Sequence, residues 1–469
     1  MTSAGAPAGG RPLRIVHCVG FYFPDSTGGT EVYVRDLVTA LSRHSIDGTI
    51  IAATNKGYDR YKWHGVDVVR YPIDATDVTS APTPGDGSQA RRSAFQGIVE
   101  EAKPDIFHLH SWTSGAGLGH LRQVARMGIP SVVTMHVPSA LCMRGTMLLY
   151  GKGPCDGRID ATRCARCWAL HRGFPAPAAW LVSMLPKWDA TDSEISRMSS
   201  RAAALLSITA SAATKARQLR SMATLSERIV APSQWVRSAL AANAIPPEKI
   251  VVSAQAASET FAGRSERVRE RDDSREIVIG FLGRLEAYKG ADLVIKALAL
   301  VPKDLRVRLR IAGTGTEPAY VHSIEQAAKR DKRIEMVGLV EHEQVPKFLE
   351  TIDVLTVPSR YMETGPIVVQ EAQALGIPVM GADLGGIAER VRDGIDGWLL
   401  PFDDPRPWAE AMIEAVTDRN ELARLSNNMQ RSRSIGDVAT DMAALYREVM
   451  AERKMLATRK RDRAVSSIT

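Results

Sequence analysis

Long hydrophobic runs are missing from this chain. No stretch approaches the roughly 18 consecutive apolar residues that a spanning helix needs, so the fold is not organised around the bilayer. The opening segment MTSAGAPAGGRPLRIV has no charged n-region followed by an apolar h-region. No leader is therefore expected, and the expected location is the cytoplasm. Cysteine is scarce as well, with five in 469 residues, which excludes a disulfide-stapled scaffold. Repeats of solenoid period are absent, and the only low-complexity patch is the Pro/Gly/Ser-rich stretch TSAPTPGDGSQ.

What is present fits a globular protein with more than one core. Apolar residues make up 45% and charged residues 24%, and a chain of this length divides into two domains more readily than it fills one. The formal charge of +7 favours anionic partners. From Leu13, the runs LRIVHCV, GTIIAAT, VDVVRY, DIFHLH and PSVVTMH read as buried strands separated by helical patterns or polar loops. A second series runs through EIVIGFLG, VRLRIAG, RIEMVG, DVLTVPS and IPVMGA, with helical periodicity in ADLVIKALALV, EPAYVHSIEQAAKR, HEQVPKFLETI and GPIVVQEAQAL. Strands alternating with helices imply parallel sheets covered on both faces. The fold class is therefore α/β, with two doubly wound, Rossmann-like domains and ligand bound at the carboxyl ends of the strands. The expected division is 1–245 and 246–436, the boundary falling in the Pro-Pro and charge-rich stretch that starts at Asn243. A helix over 437–458 could return to the first domain, and 459–469 forms a basic tail.

The stretch SRYMETGPIVVQEA carries the most chemistry. Glu363 and Glu371 stand eight positions apart around a Thr-Gly-Pro. Pro366 suits the first turn of a helix, which places Thr364 and Gly365 at its cap. Free amides there, including that of Ile367, and the helix dipole favour an anion. Glu363 lies just outside the cap, while Glu371 leans back toward it from inside the helix. A diphosphate at the cap, a sugar on one flank and a ribose on the other fits this spacing, since carboxylates accept hydrogen bonds from hydroxyls. The loop FLGRLEAYKGAD offers Arg284 and Lys289, flanked by Gly283 and Gly290, to neutralise a leaving diphosphate without a catalytic metal. Taken singly, each of these residues has an ordinary surface role; the constellation in strand-end loops reverses that weighting.

GRLEAYKGAD, PSRYMETGPIVVQEAQALGIPV and GADLGGIAERVRDGIDGWLL together resemble the signature of family-four retaining glycosyltransferases of the GT-B fold. The resemblance runs from Leu13 to about Arg433, and the E-x7-E pattern in its Pro-Ser…Glu-Ala setting is specific. It implies two domains facing across a cleft and a nucleotide-sugar co-substrate. It further implies that Glu363 binds hydroxyls of the transferred sugar, Glu371 the ribose, and Arg284 and Lys289 the diphosphate, with amides from Thr364 to Ile367. His136 matches a family position beside the anomeric carbon, and Gly28-Gly29 a segment facing donor phosphate or acceptor. The implied chemistry is a front-face substitution in which a phosphate oxygen takes the acceptor proton. The SAQAASETF stretch departs from the Asn-Gly turn common in the family and reads as a changed linker.

Other residues keep two readings open. Thr30 as N-cap and Glu31 in the first turn would make Gly28-Gly29 a simple turn. Gly313 and Gly315 in AGTGTE let backbone approach the nucleotide, or merely turn the chain. His110, like His136, ends a strand; alternation would bury it. Cys142, Cys155, Cys164 and Cys167 follow a C-x12-C-x8-C-x2-C spacing compatible with a structural zinc, His171 being a substitute ligand and free thiols the alternative. Cys18 belongs to the first strand's core. Trp180, Leu181, Met184, Leu185 and Trp188 form either a packed lid, the expected arrangement, or an interfacial segment. In the latter case this segment and the basic tail would hold the protein on the inner face of a membrane.

The reading is a retaining hexosyltransferase that moves a sugar from a nucleotide sugar to a saccharide or lipid-linked acceptor, in surface or exopolysaccharide assembly. A nucleotide-sugar epimerase or sugar phosphorylase on the same scaffold is the enzymatic alternative, and a non-catalytic zinc-bearing binding protein the other. Nucleic acid is not an expected partner, because the informative cations sit in motif loops rather than in a stripe among aromatic platforms.

Overall fold

The computed structural model describes residues 11–26, 28–73, 88–113, 115–185, 201–261, 275–430 and 432–466. Most of the TSAPTPGDGSQ patch, Trp188 and the charge run 262–274 lie outside the described residues.

The first sheet collects β1 (Leu13–Val19), β2 (Ile46–Thr54), β3 (Asp59–Trp63), β4 (Val66–Pro72), β5 (Ile106–Leu109), β6 (Ser131–Thr134), β9 (Arg228–Ala231) and β10 (Ile250–Val252) in the order β10-β9-β6-β5-β1-β2-β4-β3. Every pairing is parallel except β3 with β4. That exception puts a charged strand, DRYKW, on an edge, where its charge discourages further pairing. A two-stranded hairpin, β7 (Leu148–Leu149) with β8 (Gly153–Pro154), stands apart from both sheets.

The second sheet is wholly parallel. Its strands β11 (Ile277–Leu282), β12 (Val307–Ala312), β13 (Ile334–Gly338), β14 (Val354–Val357), β15 (Val379–Ala382) and β16 (Gly397–Leu400) run in the order β13-β12-β11-β14-β15-β16. This is a doubly wound sheet whose chain order reverses between β11 and β14, and such a reversal opens a crevice at the strand ends. In the first sheet the equivalent reversal lies between β1 and β5.

Each sheet is buried by the apolar runs that define it. Ile277, Ile279, Leu309, Ile311, Val354 and Leu355 are buried in the core of the second lobe. The helix Ile435–Ser466 returns from that lobe to the first, where Val438, Met442, Tyr446 and Val449 join Val34, Leu37 and Leu41 of the helix Gly29–Leu41. Tyr446 hydroxyl also meets His108 Nδ1 at 2.6 Å.

Four features differ from the sequence expectation. The first sheet continues past residue 245 to Val252, because the short run IVV pairs with β9 despite its Pro-rich approach. Thr30 is not an N-cap: the helix begins at Gly29 with Gly28 as its cap. Pro366 is itself the cap of the helix Ile367–Ala374, one residue later than expected, since its extended backbone keeps it outside the first turn. The apolar lid is not packed at its tip. The helix Ala176–Met184 turns Ala179, Val182 and Ser183 inward and leaves Trp180, Leu181 and Met184 at 50%, 61% and 62% exposure. A short helix apolar on all sides cannot bury every face against one neighbour. Among the described residues, no helix is long and apolar enough to cross a membrane.

Candidate active site

The loops that leave β11 and β14 at the reversal point meet each other. From the first comes Lys289, in a short turn ended by Gly290; from the second comes Glu363. Gly290 has φ +78, and a Cβ there would fall 2.1 Å from Pro358 O, so backbone approaches backbone where only glycine fits. This approach brings Lys289 Nζ to 2.7 Å from Glu363 Oε1 and 3.0 Å from Tyr361 hydroxyl. Ser359 Oγ donates to the same carboxylate oxygen at 2.6 Å. Burial opposes both charges, but their mutual attraction and hydrogen bonds outweigh it: the Lys289 ammonium is stabilised upward and the Glu363 carboxyl held below its usual range. Glu363 is therefore an ionised, oriented acceptor.

Its backbone is fixed as firmly as its side chain. Glu363 O accepts from Trp235 Nε1 at 2.8 Å and from Gly386 N–H at 2.7 Å. Thr364 Oγ1 donates to His136 O at 2.6 Å, which ties this loop to the end of β6 in the other lobe. Arg284 is exposed beside the pair; its guanidinium donates to Tyr288 hydroxyl and, among the described residues, it has no carboxylate partner. Arg360, by contrast, is clamped by both oxygens of Asp292.

Two helix N-termini face the same place. A Cβ added to Gly29 would lie 3.5 Å from Ile367 Cδ1, so the start of the helix Gly29–Leu41 abuts that of Ile367–Ala374. Neither cap carries a side-chain hydrogen bond, which leaves amides of both first turns for an anion. Gly28, Gly29, Thr364, Gly365, Pro366 and Ile367 are thus gathered around one gap. Glu371, one turn into the second helix, is buried and among the described residues has no hydrogen-bond or ion-pair partner. Burial, with the nearby charge of Asp36 from the other lobe, pushes its carboxyl up to about 8. Gly313, with φ +141, brings the end of β12 against Gly283 O, where a Cβ would sit at 1.8 Å.

His136 is present but fully engaged. Gln255 Nε2, which can only donate, lies 2.7 Å from His136 Nδ1. The proton of His136 is therefore on Nε2, which reaches His110 Nδ1 at 3.1 Å; His110 Nε2 in turn reaches His17 Nδ1 at 3.0 Å. Burial pushes His136 down to about 3, so it stays a neutral imidazole in an ordered chain. His110 is buried within that chain, as alternation implied. Among the described residues, His17, His108 and His110 are the only set of three metal-capable side chains with ligand atoms within 4.8 Å. His110 is bonded to His17 and His136 and His108 to Thr134 and Tyr446, while His17 Nε2 is buried without a hydrogen-bond partner.

Sequence reasoning missed Ser359, Tyr361, Trp235, Gln255 and Gly386. Ser359 and Tyr361 stood inside the quoted motif, and Gly386 inside GADLGG. Trp235 and Gln255 come from the other side of the gap and carry no local signal. The cysteines fall elsewhere: Cys142, Cys155, Cys164 and Cys167 line a separate cavity, His171 packs tilted against Trp168, and Cys18 is buried in the first sheet.

Comparison with known proteins bears on this geometry. The family model "Glycosyl transferases group 1" matches residues 264–432, and "Glycosyl transferase 4-like domain" matches residues 28–254. A D-inositol 3-phosphate glycosyltransferase of Corynebacterium efficiens is 30% identical over 220 residues, 43% of this chain and 51% of that protein. The matches span about half the length of such curated relatives. Among solved structures, sucrose-phosphate synthase of Thermosynechococcus elongatus superposes with a TM-score of 0.65 at 17% identity, covering 94% of this chain and 100% of that one. The Anabaena protein HepE in complex with UDP and glucose gives 0.58 at 16% identity, covering 94% and 99%. Both show the two-lobed fold.

Proposed function

The chain belongs to the family-four glycosyltransferases of GT-B fold, and from that premise we propose that it transfers a hexosyl group with retention from a nucleoside-diphosphate sugar to a saccharide or lipid-linked acceptor. The observation that carries this reading is the convergence of Lys289, Glu363, an unpartnered Glu371 and two free helix N-termini at one gap. The diphosphate seats on the two helix N-termini and is neutralised by Arg284 and Lys289. Glu363 accepts from the sugar hydroxyls and Glu371 from those of the ribose. In the reaction the acceptor oxygen bonds to the anomeric carbon as the bond to the diphosphate oxygen breaks on the same face. The acceptor proton passes to that phosphate oxygen, and the nucleoside diphosphate leaves. His136, neutral and bonded at both ring nitrogens, positions the sugar through its fixed main chain rather than exchanging protons.

We divide the chain between Val252 and Ile277, the last strand of one sheet and the first of the other. A small phosphorylated polyol stands beside the saccharide as an acceptor to test, because relatives matched over part of the chain are named for D-inositol 3-phosphate. The exposed Trp180, Leu181 and Met184 support contact with a membrane surface, which would suit a lipid-linked acceptor in surface polysaccharide assembly. Cosedimentation with anionic vesicles checks that contact: loss of binding in Trp180→Glu is expected, and equal binding by both proteins counts against it. For the donor, a panel of nucleotide sugars, led by UDP-sugars, is scored by thermal stabilisation and product by the anomeric configuration in proton NMR. Stabilisation by a donor with an unchanged anomeric configuration is the expected result; an inverted product overturns the retaining assignment.

A further inference from the structure

We propose that Cys142, Cys155, Cys164 and Cys167 form a structural zinc site that braces the loop carrying Glu363. All four thiols line one cavity of about 30 Å³, together with Met147 and Leu148. Such a space holds an atom or two of water size, which suits a single ion and is too small for an iron–sulfur cluster. None of the four is in a disulfide. The local fold brings the four residues to that cavity from a turn, a hairpin and a helix. Cys142 opens a tight turn closed by Gly145 N–H on Cys142 O at 3.1 Å, with Gly145 at φ +73. The hairpin of β7 and β8 then delivers Cys155 directly after its second strand. The helix Ala161–His171, capped by Asp160 at Arg163 N–H, carries Cys164 and Cys167 three residues apart in its first two turns. Tyr150 N–H, from the hairpin turn, points at Cys167 Sγ from 3.2 Å. An amide donating to sulfur stabilises a thiolate and orients it, as outer hydrogen bonds do for metal ligands.

In the described structure no three of these sulfurs lie within 4.8 Å of one another. A zinc ion, with sulfurs at about 2.3 Å, would have to draw them together around the cavity they line. Four protein ligands leave no open position, so the ion holds structure. Its reach into the active site is short. Thr146 O, two residues before the hairpin, accepts from Met362 N–H at 2.9 Å. Met362 is the neighbour of Glu363 and packs with Leu141 and Met147 in one apolar cluster. The module of the first lobe therefore grips the catalytic loop of the second.

Elemental analysis of the full chain, purified without chelator and again after dialysis against Zn²⁺, tests this. About one zinc per chain is expected, together with an intense near-ultraviolet sulfur-to-metal band when Co²⁺ replaces it. Cys164→Ser/Cys167→Ser should lose both the ion and the band. A single Cys18→Ser variant should keep them, which separates loss of ligands from loss of a cysteine. Nucleotide binding, read by calorimetry on the chelator-treated protein, should persist while transfer falls. A chain that takes up no zinc or cobalt while all four thiols react with a thiol reagent overturns the site, and leaves the proposed transfer reaction untouched.

Discussion

At the scale of single residues, the ion pair between Lys289 and Glu363 fixes the charge state of both groups. Both are largely withdrawn from water, and each charge is stabilised by the other. In the proposed reaction a diphosphate would come beside Lys289 and sugar hydroxyls beside Glu363, so both groups would exchange part of their mutual bond for the ligand. Removing the carboxylate should then leave the diphosphate anchors in place. Glu363→Ala is expected to lower the transfer rate by 100-fold or more, while the nucleotide diphosphate alone binds within a few-fold of its normal affinity. Turnover measured beside calorimetric titration checks both halves. Undiminished turnover would remove Glu363 from the site, and a collapse of nucleotide affinity would give it a structural role instead.

At the scale of elements, one helix is completed by a residue remote in sequence. The helix Gln234–Ala242 follows Ser233, the residue type expected to cap it. Yet Ser233 Oγ has no partner, and the free amides of Gln234 and Trp235 donate to Glu389 at 2.7 and 2.6 Å. Glu389 lies at the end of the short helix Gly385–Ala388 in the other lobe, so the cap also fastens the lobes together. Glu389→Ala should cost about 1 kcal/mol, read as a lower urea midpoint, with Glu389→Gln recovering part of it. No change in the midpoint would mean that Ser233 takes over the cap. Legibility from sequence follows the same division. The parallel strands of both sheets stand out because buried, predominantly apolar runs such as IVIGFL make them. The hairpin pair and β10 are two or three residues long, too short for a period to show. The motif loops are readable because glycine and charge are dense there. Gln255, Trp235 and Glu389 are not, since their partners sit 119, 128 and 155 positions away.

At the scale of the molecule, the two lobes present like charges to each other at the proposed ribose subsite. Asp36, held by Arg35 Nε at 2.7 Å and Ser258 Oγ at 2.6 Å, belongs to the first lobe, and Glu371 to the second. Burial and this neighbour push Glu371 up to about 8 from an ordinary value of 4.5. Without nucleotide the folded protein therefore keeps a proton there that the unfolded chain loses. The sign follows from linkage: between pH 4.5 and about 8 the folded state binds more protons, so this group's contribution to stability falls as pH rises through that window. Glu371→Gln, which cannot ionise, should lose that dependence, and its melting temperature should gain on the unmodified protein from pH 5 to pH 8. Nucleotide reverses the preference, because ribose hydroxyls donate best to the ionised carboxylate. Binding at pH 7 should consequently release most of one proton, detected as a calorimetric heat that varies with the ionisation enthalpy of the buffer, and Glu371→Gln should bind more weakly without that release. A heat independent of buffer in the unmodified protein would place the ribose away from Glu371. The gap would then be a phosphate cradle whose second carboxylate serves only the packing of one lobe against the other.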